Sequence, residues 1–271
     1  MEEALKKKVL SCRRILLIGP VDTGKSYRFR QIIELLKGRE RFVALDSDVG
    51  QSSLGLPTTI NLEEYSQNGT LVKKAFFFYG FTSPRSYPFR FLTGFFKLLA
   101  PYVSRGIKVV VDTTGYVEPP FALYLKQQKA ELLQPDLIVL LGRERLQPEW
   151  DWFVKFHSWR ILELKVSPEA RRRDMAERAR YRKERFSRYF EKTKEVALPL
   201  RYLIPLKPDA EPKPGNLLSF RNRSGKDLFL GVIKDIVEKE AIVLIPEDKE
   251  PTSYVVFSPY CFNGEEINAQ D

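Results

Sequence analysis

The sequence has very few of the side chains from which disulfide frameworks, zinc sites and histidine-dependent active sites are built. Its 271 residues include two cysteines, Cys12 and Cys261, and one histidine, His157. Two cysteines near opposite ends are too few for a disulfide framework and show no metal-ligand spacing, so we expect a reducing, cytoplasmic compartment. A lone histidine beside Trp159 is expected to be structural, which leaves acid–base chemistry to carboxylates.

Long apolar runs are also missing. No run approaches the roughly 20 residues that span a bilayer, and the opening MEEALKKKVL has no apolar region of a signal peptide, so we expect no membrane association. Positive charge, in contrast, is in excess: 45 lysines and arginines against 35 acids give a net charge of +10. This balance favours a polyanionic partner, and 43% hydrophobic residues can form the core of one large domain plus a small one.

The clearest motif is GPVDTGKS at residues 19–26, which has the spacing G-x-x-x-x-G-K-S. An apolar run precedes it and helical apolar spacing follows, which is the order of a phosphate-binding loop. Backbone N–H groups of such a loop and the following helix N-terminus bind phosphates, a lysine reaches the terminal phosphates, and a serine hydroxyl ligates Mg²⁺. The motif predicts binding of ATP or GTP through Gly19, Asp22, Thr23, Gly24, Lys25, Ser26 and Tyr27.

Apolar runs recur along the chain and alternate with helical segments. They lie at 15–18, 42–45, 75–79, 107–111, 137–141 and 161–166. Runs buried on both faces and separated by helices predict an α/β fold, here a three-layer P-loop NTPase sandwich with a mainly parallel sheet. Ligands of such sheets bind beyond the carboxyl ends of the strands.

Carboxylates follow two of these runs. Asp46 and Asp48 end the second, and Asp112 ends the run at 107–111 and is followed by Thr113, Thr114 and Gly115. Carboxylates at this edge can hold Mg²⁺ or take a proton from an attacking hydroxyl, so we expect Ser26, Asp48 and Asp112 to form the metal site. The alternative for the first pair is a helix cap and turn.

The loops that follow two further strands have roles that stay open. The loop after 75–79 holds Arg85 among aromatic residues, which suits either phosphate and base binding or a core-edge loop. The run at 137–141 ends in Gly142 and Arg143, where a base-binding loop could lie. No N-K-x-D guanine signature is present, which favours adenine or no strict preference.

The most basic stretch, residues 171–188, carries nine Lys/Arg against three acids. We expect a helix starting at Pro168 and Glu169, with Arg178, Arg182 and Arg185 on one face. Such a helix can form a lid, at about 168–190, that closes over the phosphates and supplies an arginine to the transferring group. The alternative is a solvated face whose charges pair locally.

The residue composition changes after Glu195. A proline-rich stretch that we interpret as a linker or an extended crossing is followed by short alternating strands from about Gly215. We therefore divide the chain into a kinase-like domain, 1–195, and a linker with a small β-rich domain, 196–271.

Together the motifs GPVDTGKS, DSDVGQ, YGFTSP, DTTGY and the basic segment ending RFSRYF resemble the polynucleotide 5′-hydroxyl kinase family. That family includes the RNA kinase of the pre-mRNA cleavage complex and the nucleolar kinases of rRNA processing. The resemblance implies transfer of the γ-phosphate of ATP to the 5′-OH end of RNA or DNA. Because the phosphate loop begins by residue 19, the chain resembles a compact bacterial or archaeal form.

The resemblance also implies individual roles. Asp48 would orient or deprotonate the 5′-hydroxyl, Gln51 would help place the substrate end or the metal, and Thr113 with Gly115 would line the phosphate site. The family's usual tryptophan after the TxG turn is Tyr116 here, which puts its contact with the terminal base in doubt. Substrate contacts are therefore expected from Gln51, Tyr116 and Arg85. The rival readings are a P-loop small-molecule kinase and a nucleotide-dependent nucleic-acid-binding or assembly protein without transfer activity.

Overall fold

The computed structural model describes residues 2–156, 159–166, 170–171, 173–252, 254–262 and 267–269. The expectations for His157, Pro168 and Glu169 lie outside these residues.

The first sheet has seven strands in the order β4-β3-β2-β5-β1-β6-β7. Their bounds are β1 Arg14–Ile18, β2 Phe42–Ser47, β3 Thr59–Tyr65, β4 Leu71–Phe78, β5 Lys108–Thr113, β6 Leu137–Leu141 and β7 Ile161–Leu164. Strands β2, β5, β1, β6 and β7 are parallel, whereas β3 is antiparallel to both β2 and β4. The predicted mainly parallel α/β sheet is thus confirmed, with an antiparallel pair at one edge.

Helices cover both faces of this sheet. They are α1 Glu3–Ser11, α2 Lys25–Leu36, α3 Pro88–Val103, α4 Phe121–Leu133, α5 Trp150–Phe156 and α6 Met175–Tyr189. Alternate strand residues point to opposite faces: Ile15 and Leu17 of β1 pack with α1 and α2, while Leu16 and Ile18 pack with α3 and α4. This explains why the strands are continuously apolar in sequence. None of the helices in the described part of the chain is long and apolar enough to cross a membrane.

The strand directions gather the predicted motifs at one edge. Strand β4 is antiparallel to β3 and therefore runs in the same direction as β2. The loops after β1, β2, β4 and β5 consequently lie at the same end of the sheet. These loops carry the phosphate motif, the Asp48 motif, the YGFTSP loop and the turn after Asp112.

A second sheet follows, in the order β14-β13-β10-β11-β12-β8, with β9 paired to β13. Its strands are β8 Thr193–Pro199, β9 Leu203–Pro205, β10 Asn216–Arg221, β11 Asp227–Val237, β12 Glu240–Pro246, β13 Tyr254–Phe262 and β14 Ile267–Ala269. The first part of the proline-rich stretch belongs to this sheet, because Leu198 and Leu203 are buried in its core. The boundary that we placed between 195 and 196 falls inside β8, and the division into domains stays a prediction.

Candidate active site

The phosphate loop connects β1 to α2, as its spacing predicts. Gly24 has φ +81° and caps α2, which begins at Lys25, and Asp22 is also left-handed with φ +58°. The hydroxyl of Thr23 donates to the carbonyl of Pro20 at 2.9 Å, which ties the loop together from inside. A Cβ on Gly19 would lie 2.6 Å from the carbonyl oxygen of Leu141, so only glycine fits where the loop leaves the sheet.

Asp112, at the end of β5, lies directly behind the phosphate loop. The hydroxyl of Ser26 donates to its Oδ2 at 2.8 Å, and Lys25 Nζ is 3.8 Å from its Oδ1. The carboxyl is fully buried, which raises its pKa, while the charge of Lys25 and the Ser26 hydrogen bond act in the opposite direction. Serine and carboxylate oxygens therefore converge beside the lysine, which is an arrangement of hard oxygen ligands that suits Mg²⁺.

The two aspartates after β2 have different surroundings. Asp46 is fully buried, and its Oδ2 accepts hydrogen bonds from Ser52, Ser53 and Leu54 while its Oδ1 accepts from the amide of Asp48. Burial, then the charges of Asp112 and Asp48, raise the pKa of Asp46 to about 7. Asp46 thus fixes the conformation of the loop that follows β2.

Asp48, in contrast, borders open space. Its Oδ1 accepts the amides of Gly50 at 3.1 Å and Gln51 at 3.0 Å, and the residue lines the same cleft as Lys25 and Ser26. These backbone contacts fix the carboxylate and leave its Oδ2 without a hydrogen-bond partner among the described residues. A carboxylate held this way can receive a proton from a hydroxyl bound in the cleft.

The turn after β5 differs in one respect from expectation. Thr113 is fully buried, and its hydroxyl donates to the carbonyl of Leu17 at 2.8 Å, so it joins β5 to β1 and does not line the cleft. Thr114, Gly115 and Tyr116 line it instead. A Cβ on Gly115 would lie 2.8 Å from Val21 Cα, so this turn packs against the phosphate loop.

Two buried lysines of α4, which were not predicted from the sequence, bond the turn after β5 and the end of β2. Lys126 donates to the carbonyl of Thr114 at 2.6 Å, and Lys129 donates to the hydroxyl of Ser47 at 2.8 Å. Burial lowers the pKa of Lys126 well below its usual value and that of Lys129 to about 7; the nearby aspartates oppose the shift of Lys129. Lys129 also lies 4.3 Å from the ring centroid of Phe91. Lysines on an amphipathic helix are normally solvent-exposed, so their burial could not be predicted from the sequence pattern.

The basic segment forms helix α6, which we call the lid helix. It begins at Met175, where Asp174 and Glu177 form a reciprocal capping box. Arg178 Nη2 pairs with Asp22 of the phosphate loop at 2.8 Å. The carbonyl of Arg178 accepts Nε2 of Gln51 at 3.2 Å, so the helix start is tied to both loops.

The three predicted lid arginines do not share one environment. Arg178 and Arg182 line the cleft, whereas Arg185 donates to the carbonyl of Gly55 at 2.6 Å and lines a different cavity of about 440 Å³. Burial lowers the pKa of Arg182, and its Nε has no hydrogen-bond partner among the described residues. Arg178 and Arg182 are thus the two lid arginines that can meet an anion in the cleft, and the structure does not place Arg185 at the phosphate site.

Tyr116 lines the cleft, and Arg85, which does not line it, packs beside the ring of Tyr116. The Arg85 guanidinium lies 5.6 Å from the ring centroid of Tyr116, which itself packs on Phe121 at 6.1 Å. An arginine over an aromatic ring forms a surface on which a nucleobase can stack.

The loops at this edge of the sheet and the lid helix enclose one cleft of about 650 Å³. Its walls carry the phosphate loop, Asp48 and Gln51, the YGFTSP loop and the lid helix. The charged residues lining it are Asp22, Lys25, Arg30, Asp48, Arg171, Arg173, Glu177, Arg178, Arg180, Arg182 and Glu184. Seven are cationic, so the cleft suits a highly charged anion. No group of three His, Cys, Asp or Glu side chains that could hold a metal alone occurs among the residues described.

This fold and site define a P-loop nucleotide-binding protein. The chain belongs to the family described as mRNA cleavage and polyadenylation factor CLP1 P-loop, whose sequence profile matches residues 19–192. The resemblance drawn from the motifs is thereby confirmed.

Curated relatives carry informative names. A polyribonucleotide 5′-hydroxyl-kinase of Pyrococcus horikoshii is 33% identical over 187 residues, covering 67% of this chain and 51% of the relative. One of Methanocaldococcus jannaschii is 34% identical over 188 residues, with the same coverage, and one of Pyrococcus furiosus is 32% identical over 211 residues, covering 74% and 58%. The chain thus spans about half the length of the curated relatives it matches.

Solved structures share the fold. Clp1p in a complex of wild-type Clp1p with Pcf11p superposes with a TM-score of 0.77 at 13% identity, covering 95% of this chain and 78% of that one. A second Clp1p–Pcf11p structure gives a TM-score of 0.76 at 14% identity. At this identity the likeness concerns the fold of both sheets.

Proposed function

We propose that the chain is an ATP-dependent polynucleotide 5′-hydroxyl kinase that acts on RNA in the cytoplasm. One observation carries the proposal: Asp48 lines the same cleft as Lys25 and Ser26 of the phosphate loop, beneath the arginines of the lid helix. A group that can receive a proton and groups that bind a triphosphate thus face one space. The names of the curated relatives support the same activity and the choice of RNA.

The nucleotide end of the site follows from the loop geometry. Backbone N–H groups of residues 19–26 and the N-terminus of α2 would bind the phosphates, and Lys25 would exchange its contact with Asp112 for the terminal phosphate. The oxygens of Ser26 and Asp112, 2.8 Å apart, fit Mg²⁺, and Asp48 supplies a further carboxylate. Bound there, the ion would neutralise phosphate charge.

The acceptor end supplies the proton chemistry. The 5′-hydroxyl oxygen of the nucleic acid attacks the γ-phosphorus, the bond to the β–γ bridging oxygen breaks, and ADP leaves. Asp48 takes the hydroxyl proton, since its Oδ1 is fixed by two backbone amides. Arg182 and Arg178 stabilise the charge on the moving group, for which an arginine contributes about 10³ to 10⁵ in rate.

The test is transfer of label from γ-labelled ATP to a 5′-OH RNA oligomer by the 271-residue chain. We expect labelled RNA with the 5′-OH oligomer and none with the same oligomer already phosphorylated at its 5′ end. A Lys25→Ala variant should lose transfer, because the terminal phosphate loses its cation. Undiminished transfer by Lys25→Ala would contradict the assignment. A matched DNA oligomer and GTP in place of ATP measure the two selectivities.

Two rival functions give different outcomes in the same experiment. A nucleotide-dependent binding protein would bind the oligomer with ATP present and leave it unlabelled. A small-molecule kinase would neither label nor bind it in a salt-dependent way. Phosphate contacts by the cationic cleft predict that binding of the RNA weakens steeply as salt is raised.

A further inference from the structure

One wall of the cleft is the loop of residues 80–84, which follows β4 and which we call the acceptor loop. Thr82, Ser83 and Pro84 of this loop line the cleft. The acceptor loop follows a strand of the first sheet, yet it also contacts the second sheet. Just before it, the amide of Phe78 donates to Oδ2 of Asp227 at 3.0 Å.

The next contacts come from strand β13 of the second sheet. Ser258, which is fully buried, donates from its hydroxyl to the carbonyl of Gly80 and accepts the amide of Tyr260 at 3.0 Å. The hydroxyls of Tyr260 and Thr82 are 3.0 Å apart. The ring of Tyr260 meets that of Phe81 edge-on, with centroids 5.8 Å apart. Three successive residues of the acceptor loop therefore each contact β13.

The contact at Gly80 is close enough to require glycine. Its φ is +90°, and a Cβ there would lie 2.6 Å from a methyl carbon of Leu206 and 3.1 Å from Cβ of Ser258. The backbone of the loop is thus pressed against the second sheet, and its position depends on that sheet.

Tyr260 also lies near the lid helix. Among the groups that act on the pKa of Arg182, Tyr260 is the one that raises it against the effect of burial. The phenol that contacts Thr82 is thus close enough to Arg182, which also lines the cleft, to act on the pKa of that arginine.

We propose that Ser258 and Tyr260 are positioning residues for the nucleic acid: the second sheet fixes the acceptor loop so that Thr82 and its neighbours hold the 5′ end in line with the phosphate loop. The inference rests on the proposed kinase function. A loop already fixed loses less conformational entropy when the substrate binds, and it keeps the attacking oxygen aligned. Neither residue needs to touch the reacting atoms.

Tyr260→Phe tests this with little disturbance, because the ring and its contact with Phe81 remain. We expect the KM for a 5′-OH RNA oligomer to rise about three- to tenfold, the range for one lost hydrogen bond. The KM for ATP should stay at the wild-type value, since the phosphate loop is untouched, and the melting temperature should fall by only a few degrees, as expected for one lost hydrogen bond. Tyr254→Phe removes the same atom from the far end of the same strand and should behave like wild type in all three measurements.

The double variant Thr82→Val/Tyr260→Phe separates positioning from a direct contact. If Tyr260 acts through Thr82, adding Tyr260→Phe to Thr82→Val changes the KM for RNA by less than twofold. An effect as large as in the wild-type background would overturn the proposal, as would an unchanged KM for RNA in Tyr260→Phe.

Equilibrium binding keeps this test distinct from that of the kinase activity. With a nonhydrolysable ATP analogue present, Tyr260→Phe should bind the RNA oligomer about three- to tenfold more weakly than wild type. Wild-type affinity in the variant overturns the positioning role even if the chain transfers phosphate. Absence of transfer by the wild-type chain refutes the kinase function, whereas the binding result then still decides whether β13 positions the acceptor.

Discussion

Replacing Asp48 by asparagine removes the proposed proton acceptor while keeping the shape of the site. Asparagine can present its carbonyl oxygen to the amides of Gly50 and Gln51, which now bond Oδ1 at 3.1 and 3.0 Å, so the loop should keep its conformation. The other oxygen becomes an amide that cannot take a proton. Loss of a general base costs about 10² to 10⁴ in rate, or about 3 to 5 kcal/mol of transition-state stabilisation.

The measurement is single-turnover transfer from γ-labelled ATP to a saturating 5′-OH RNA oligomer, with ATP affinity measured separately by calorimetry. We expect Asp48→Asn to bind ATP within about threefold of wild type and to lose at least a hundredfold in rate. A transfer rate within threefold of wild type would refute a proton-accepting role for Asp48.

Further outcomes follow from contacts in the same cleft. Arg182→Ala should lower the transfer rate by about 10³ or more and Arg185→Ala by less than tenfold, because Arg185 bonds a backbone carbonyl outside the cleft; equal losses in steady-state assays would contradict this. Gly115→Ala should weaken ATP binding at least tenfold in calorimetry, since the new Cβ would lie 2.8 Å from Val21 Cα and displace the phosphate loop; unchanged affinity counts against this packing. Between about pH 4 and pH 7 the Asp46 carboxyl is ionised in the unfolded chain but protonated in the folded one, so its contribution to stability falls as pH rises, by at most about 4 kcal/mol. Urea unfolding of wild type and Asp46→Asn at pH 5 and 7.5 should therefore show a smaller decline in the variant, and parallel declines would show that Asp46 ionises normally.

The elements that were predicted correctly are those whose residue pattern has a single structural explanation. Strands buried on both faces must be continuously apolar, so β1, β2, β5 and β6 were found at nearly their observed bounds. Parallel strands place their carboxyl ends together, which brought Asp48 and Asp112 to one edge without knowledge of any contact.

The parts that were missed depend on pairing across the chain. Strand β3 has the sequence TINLEEY, whose acids suggest exposure, yet Glu63 is buried against Lys74 at 2.9 Å and Glu64 against Arg41. The lysines of α4 read as solvent-exposed for the same reason. Such burial is decided by a partner distant in sequence, and no local pattern carries it.

Arg185 shows the limit of helical periodicity. Spacing places it on the same face as Arg178, but seven residues carry it about 10 Å further along the axis. Over that distance the cleft ends and the second sheet begins, and Arg185 bonds Gly55 instead of facing the phosphates. Sequence periodicity shows which residues share a face of a helix. It does not show how many turns of that face border one site.

The lid helix is anchored at its C-terminal end. Phe186 is fully buried in a cluster with Leu217 and Leu230, and the hydroxyl of Tyr189 accepts the amide of Leu230 at 3.0 Å. Any outward swing must therefore pivot near Tyr189, with Arg178 at the end of a lever of about 16 Å and Arg185 at only about 6 Å. The Asp22–Arg178 pair lies at the end of the helix that is displaced furthest, so a small rotation of the helix separates this pair more than any other contact of the three arginines.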